Sequence, residues 1–209
     1  AIVLNNRGAS DAVKYDKIKI IGYPLSISEI FQKNNSGKSI ANSLKVIDEI
    51  SNLCIKENKT LLVYLSMAFG NPYEEQWDSD ILFSYIDLLK QKNISMISLA
   101  DTIGIASPKS IFNIYNSISN IFNIDIGLHL HSNPHTASDK ISSAWDAGCR
   151  RFDVTINGVG GCPFAKDTLT GNIPTEIFIN FLSKRNIKHS LDLLSFEAAC
   201  NQAKDIFNE

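Results

Sequence analysis

At 209 residues the chain is long enough for one sizeable core and short for two. Hydrophobic residues make up 44% of it and charged residues 20%, which excludes a disordered or low-complexity chain. The 20 basic and 22 acidic residues leave a net charge of −2 with no basic block, so neither nucleic acid nor a membrane surface is an expected partner.

Short apolar runs alternate with longer helical patterns. AIVLNN (1–6) reads as a strand already under way, and the expectation is that the beginning of the protein is missing. IKIIGYP (18–24) is the next strand-like run, and Ile40, Leu44, Ile47, Ile50 and Leu53 then recur at helical spacing over 39–57. LLVYLSMAF (61–69) reads as a strand, 79–92 as a helix, and SMISLAD (95–101) as a strand. Ser107-Pro108 reads as an N-cap with Pro at the first helical position, opening a helix over 107–121. IGLHLH (126–131) is a fifth strand-like run, 136–148 a helix, and RFDVTIN (151–157) a sixth run. Helical patterns over 174–186 and 190–207 complete the chain, the first with Glu176 in its opening turn. No apolar run approaches a membrane span and no signal peptide is read. Cys54, Cys149, Cys162 and Cys200 lie far apart without a C-x-x-C pair, so reduced thiols in the cytoplasm are the expectation.

This alternation implies a parallel α/β sheet, either open and doubly wound or closed as a (β/α)₈ TIM barrel. No G-x-G-x-x-G follows the first run, which removes the main signal of the dinucleotide-binding fold. Asn5, Ser66, Asp101 and the pair His129 and His131 stand at the ends of four different strands, the habit of a barrel. Six strands are fewer than a barrel's eight, and a full barrel needs about 250 residues. Residues 1–209 are therefore expected to form a single partial barrel lacking its first two strands.

The candidate chemistry begins with His129 and His131. Alternate residues of a strand share a face, so both imidazoles look the same way, as half of a divalent-metal site or as an ordinary polar strand face. Asn172 offers an amide oxygen as a third, neutral ligand, or else serves as a turn or helix-cap residue. Gly158, Gly160 and Gly161 free the backbone of a loop able to open and close, with Gly160 and Gly161 as its hinge and Cys162 at its tip. A thiol there can pass a proton, and a semi-buried loop cysteine is the plainer alternative. Asp101 either takes part in proton transfer or bonds the amides of the turn that follows it. Arg150 and Arg151 precede a strand and are assigned to the barrel's stability face; His135 and His189 read as exposed or supporting residues.

HLH (129–131), DTIG (101–104) and above all NGVGGCPFA (157–165) resemble hydroxymethylglutaryl-CoA lyase, a family of metal-dependent barrel enzymes. YLSMAFGNPYE (64–74) and IGYPLSISEIFQKNN (21–35) extend the likeness along nearly the whole chain. The resemblance implies Mg²⁺ or Mn²⁺ held by His129, His131 and Asn172, with Cys162, Asp101 and His129 as catalytic residues and an acyl-CoA as substrate. It also implies a homodimer. The family's first strand carries an Arg-Asp pair, and this sequence has no such segment, since Arg7 belongs to a later unit. The implied reaction is cleavage of 3-hydroxy-3-methylglutaryl-CoA to acetoacetate and acetyl-CoA. The rivals are a Claisen condensation like that of isopropylmalate and homocitrate synthases, and a non-catalytic module binding metal or acyl-CoA. With no carboxylate among the three protein ligands, this chain is expected to bind metal weakly and turn over little.

Overall fold

The computed structural model describes residues 1–161 and 170–207. Four parallel strands form its centre: β1 (Ile20–Ser26), β2 (Thr60–Ser66), β3 (Met96–Asp101) and β4 (Asp125–Ser132). Each hydrogen-bonds to the next in chain order, and β5 (Gly171–Asn172) adds an antiparallel pair at the end of β4. The described helices are α1 (Asn6–Ala12), α2 (Glu29–Ser36), α3 (Ile40–Lys56), α4 (Ser79–Gln91), α5 (Pro108–Ile121), α6 (Ala137–Asp146), α7 (Thr175–Lys184) and α8 (Leu193–Phe207). This is the arc of an incomplete (β/α)₈ barrel.

The strands are apolar nearly throughout because both of their faces are covered. Registers set Leu25, Leu65, Leu99 and Leu128 side by side across the sheet, on the face turned to the helices. There they meet Ile47 and Ile50 of α3, Leu82 and Ile86 of α4, and Ile111 and Ile118 of α5, all essentially inaccessible to solvent. Ser107 caps α5 through a capping box with Ser110, and Pro108 fills the first helical position, where no N–H is needed.

Two of the six expected strands are reduced to isolated bridges. Ile2 bridges Gly22, while the 151–157 run bridges Leu128 through Phe152 and Pro174 through Thr155. The first run also ends early: the Asn5 side chain accepts from the Gly8 amide and starts α1 at Asn6. Helices α1 and α2 were not expected; α2 is defined by its ends, a Ser28 cap and a left-handed Gly37, rather than by apolar periodicity. Arg151 lies at the amino-terminal end of the sheet, where its guanidinium donates to the Ile97 carbonyl and to Asp125. His135 and His189 are exposed.

Candidate active site at the strand ends

Strand β4 sends Leu128 and Leu130 into the helix-facing core and His129 and His131 to the concave face. The two imidazole centroids are 5.1 Å apart and nearly perpendicular, and the Tyr64 ring meets His129 edge-on at 5.7 Å. A cavity of about 160 Å³ opens in front of them, lined also by Pro24, Ser66, Ala100 and Thr102. Asn172 is brought in by β5, directly opposite His131 in the antiparallel register. Its Nδ2 donates to the Val159 carbonyl at 3.0 Å, which leaves Oδ1 as the accepting end.

The His131 Nδ1 is 2.9 Å from the backbone oxygen of Asp101. A carbonyl only accepts, so Nδ1 carries the hydrogen and Nε2 keeps its lone pair. Burial, and then the neighbouring His129, push the His131 pKa below the usual imidazole value, which favours the neutral, ligating form. The His129 Nδ1 is buried without a hydrogen-bond partner and lies 3.7 Å from Asp153 Oδ2. A pre-oriented imidazole beside an orphaned one suits a divalent cation. The fit is partial: two imidazoles and an amide, with no group of three or more His, Cys, Asp or Glu arranged to hold an ion among the described residues.

The Asp101 carboxylate does not join the histidines. It is buried on the helix-facing side, where Oδ2 pairs with Lys140 Nζ at 2.7 Å and Oδ1 accepts from the Ala106 amide. Of the loop residues, Cys162 lies outside the described residues. Gly160 and Gly161 pack against Thr170–Asn172 so closely that a Cβ on either would come within 3.1 Å of it, and Gly160 has a φ of +87°. Beside the histidine pair is a larger cavity of about 510 Å³, lined by Asn71, Gly104, Ser107, Asn133 and Thr136 and reached by Lys140.

Three participants escaped the sequence reading. Asp153 approaches His129 and accepts from the Ser98 hydroxyl at 2.8 Å. It was legible only as the lone carboxylate inside the RFDVTIN run. Tyr64 is an aromatic in an apolar strand, and burial, then Asp153, push its phenol up to about 12. Lys140 looked like a surface lysine of an amphipathic helix and is 3% exposed.

The fold and site together define a (β/α)-barrel protein with a His-x-His and Asn centre at the carboxyl ends of its strands. The sequence matches the HMGL-like family over residues 2–202, and the chain belongs to that family. It is 32% identical over 194 residues to the hydroxymethylglutaryl-CoA lyase of Bacillus subtilis, covering 92% of this chain and 64% of the relative. It is 27% identical over 200 residues to the (R)-citramalyl-CoA lyase of Chloroflexus aurantiacus, covering 95% and 62%. The chain thus spans just under two thirds of the length of these curated relatives. The crystal structure of the Bacillus subtilis HMG-CoA lyase superposes with a TM-score of 0.91 at 30% identity, over 100% of this chain and 70% of that one. Among the described residues no helix is long and apolar enough to cross a membrane.

Proposed function

We propose that the chain is the greater part of a carbon–carbon lyase acting on a 3-hydroxyacyl-CoA, with 3-hydroxy-3-methylglutaryl-CoA as the substrate. The observation that carries this reading is the pairing of His129 and His131 on the concave face at the strand end, with Asn172 opposite His131 in the register of β5. These three residues would hold Mg²⁺ or Mn²⁺, which supplies Lewis-acid polarisation of the substrate oxygens. The chain's own groups do the rest. The 3-hydroxyl would lose its proton to the ring nitrogen of His129 that does not hold the ion, the imidazole lining the small cavity. The C2–C3 bond breaks, its electron pair moves to the thioester enolate, and C3 becomes the ketone of acetoacetate. Cys162 returns a proton to C2 and yields acetyl-CoA. Asp101 acts through its neighbours, since its carboxylate is committed to Lys140. The acyl end would occupy the small cavity that the histidines line.

The (R)-citramalyl-CoA lyase among the relatives favours that thioester as a second candidate. Incubating the chain, and the gene product containing it, with Mg²⁺ and each thioester in turn decides between them. Acetoacetate and acetyl-CoA from the first supports the proposal; preference for citramalyl-CoA reassigns the substrate, and cleavage of neither by the complete gene product refutes a lyase.

A further inference from the structure

The ammonium of Lys140 is buried at the meeting point of β3, β4 and α6, with all three of its hydrogens placed. It donates to Asp101 Oδ2 at 2.7 Å, to the His131 carbonyl at 2.7 Å and to the Gly104 carbonyl at 3.1 Å. Asp101 in turn accepts through its own backbone oxygen from His131 Nδ1. The contacts close a ring: the Asp101 carbonyl holds the imidazole of His131, the His131 carbonyl holds Lys140, and Lys140 holds the Asp101 carboxylate. Both the backbone and the ring of His131 are thereby fixed by the same two residues. Removing Lys140 leaves a buried carboxylate unpaired and frees the carbonyl that carries the imidazole.

From this ring we infer that Lys140 is a positioning residue for metal binding: it fixes, through Asp101 and the His131 backbone, the tautomer and direction in which His131 presents Nε2. The inference rests on the metal site proposed above. Its location suits the role, since a ligating histidine needs its second nitrogen held, and the partner that holds it needs holding in turn. A buried lysine is an unusual choice for a merely structural contact, because it brings a charge that the fold must neutralise. Here every neutralising contact belongs to His131, to the residue bonding its ring, or to the turn following that residue.

The test compares Mn²⁺ affinity, by calorimetry and by electron paramagnetic resonance of the free ion, with thermal stability. Lys140→Met keeps the unbranched stem and removes the ammonium. Because it strands the Asp101 carboxylate, it is paired with Asp101→Asn/Lys140→Met, in which no buried charge is left alone and the carbonyl facing His131 is kept. The double variant is expected to keep the native near-ultraviolet dichroism and to bind Mn²⁺ about 10–100-fold more weakly, the loss typical when a ligand's orienting partner is removed. A folded double variant with wild-type Mn²⁺ affinity overturns the inference. Should the variant not fold, the wild-type chain answers through the imidazole ¹⁵N shifts of His131: the Nδ1–H form supports the ring, and the Nε2–H form overturns it. His129→Ala/His131→Ala runs alongside. If that variant binds Mn²⁺ as the wild type does, the metal site itself is wrong and the inference falls with it.

Discussion

Replacing Gly127 by alanine should destabilise the chain by roughly 2–4 kcal/mol, although an alanine in a strand ordinarily gains about 0.5–1 kcal/mol over glycine. The reason is the Arg151 side chain, which lies across β4 at this point. A Cβ on residue 127 would sit 2.6 Å from the guanidinium carbon and 2.9 Å from the Arg151 backbone oxygen. The side chain can swing aside; the backbone oxygen cannot, because the Leu128 amide is bonded to it at 2.9 Å. Overpacking of this kind costs about 1–3 kcal/mol. Displacing the guanidinium also breaks its 2.5 Å bond to the Ile97 carbonyl, a charged contact worth about 1.5 kcal/mol or more. The ion pair with Asp125, whose side chain is 47% exposed, adds little. For a chain of this length the net loss lowers the melting temperature by roughly 4–16 °C. Thermal unfolding followed by circular dichroism measures it, and Gly127→Ala in an Arg151→Ala background separates the side-chain clash from the backbone clash. An unchanged or raised melting temperature for Gly127→Ala would refute the steric argument.

Burial holds the His131 pKa below its usual value near 6.5, so the unfolded chain takes up a proton before the native one does. Stability present above about pH 6.5 should therefore decline as the pH falls through that value towards the lower native one, and His131→Gln should show a shallower decline. Urea midpoints of metal-free protein at about pH 7.5 and about pH 5.5 check this; equal declines count against it. The Cys149 thiol is fully buried and pushed up to about 11 by that burial, so aromatic disulfide reagents should leave it unlabelled in the native chain and label it in urea. Peptide mapping reads the outcome, and equal labelling in both states contradicts the placement. Tyr115→Phe removes a 2.7 Å bond to the Ile126 carbonyl beneath α5 and should lower stability by about 1–2 kcal/mol in chemical denaturation. A neutral result would show that the carbonyl finds another donor.

The parts of the fold that were legible in the sequence are those carried by local pattern. Strands β1 to β4 announce themselves as apolar, β-branched runs, and α3 and α5 by their periodicity and caps. The segments at 1–6 and 151–157 have the same composition yet make only isolated bridges, which composition alone does not tell apart from strands. The histidine pair was legible because period-two spacing fixes a shared face. Asn172 offers a neutral ligand in the sequence but equally a turn or cap residue, and its pairing opposite His131 leaves no pattern there because the antiparallel pair is two residues long. Alternation along β3 puts Asp101 on the helix-facing side with Leu99, but its partner Lys140 lies thirty-nine residues away in α6, where no local pattern shows it.

The sheet order also has a kinetic meaning. Every parallel strand pairs with the one made just before it: Ile20 with Thr60, Leu62 with Met96, and Met96 with Asp125. Each new closure spans between 29 and 40 residues, and over that range the entropy of closing the loop varies by only about 0.3 kcal/mol. Among the described residues, no strand of the parallel sheet takes a partner from the far end of the chain. Growth can proceed from one strand–helix unit to the next during synthesis, much as a repeat array extends from a nucleus. The histidines sit on β4 and their third companion on β5, so the site is assembled only after three such steps have laid down the surface behind it.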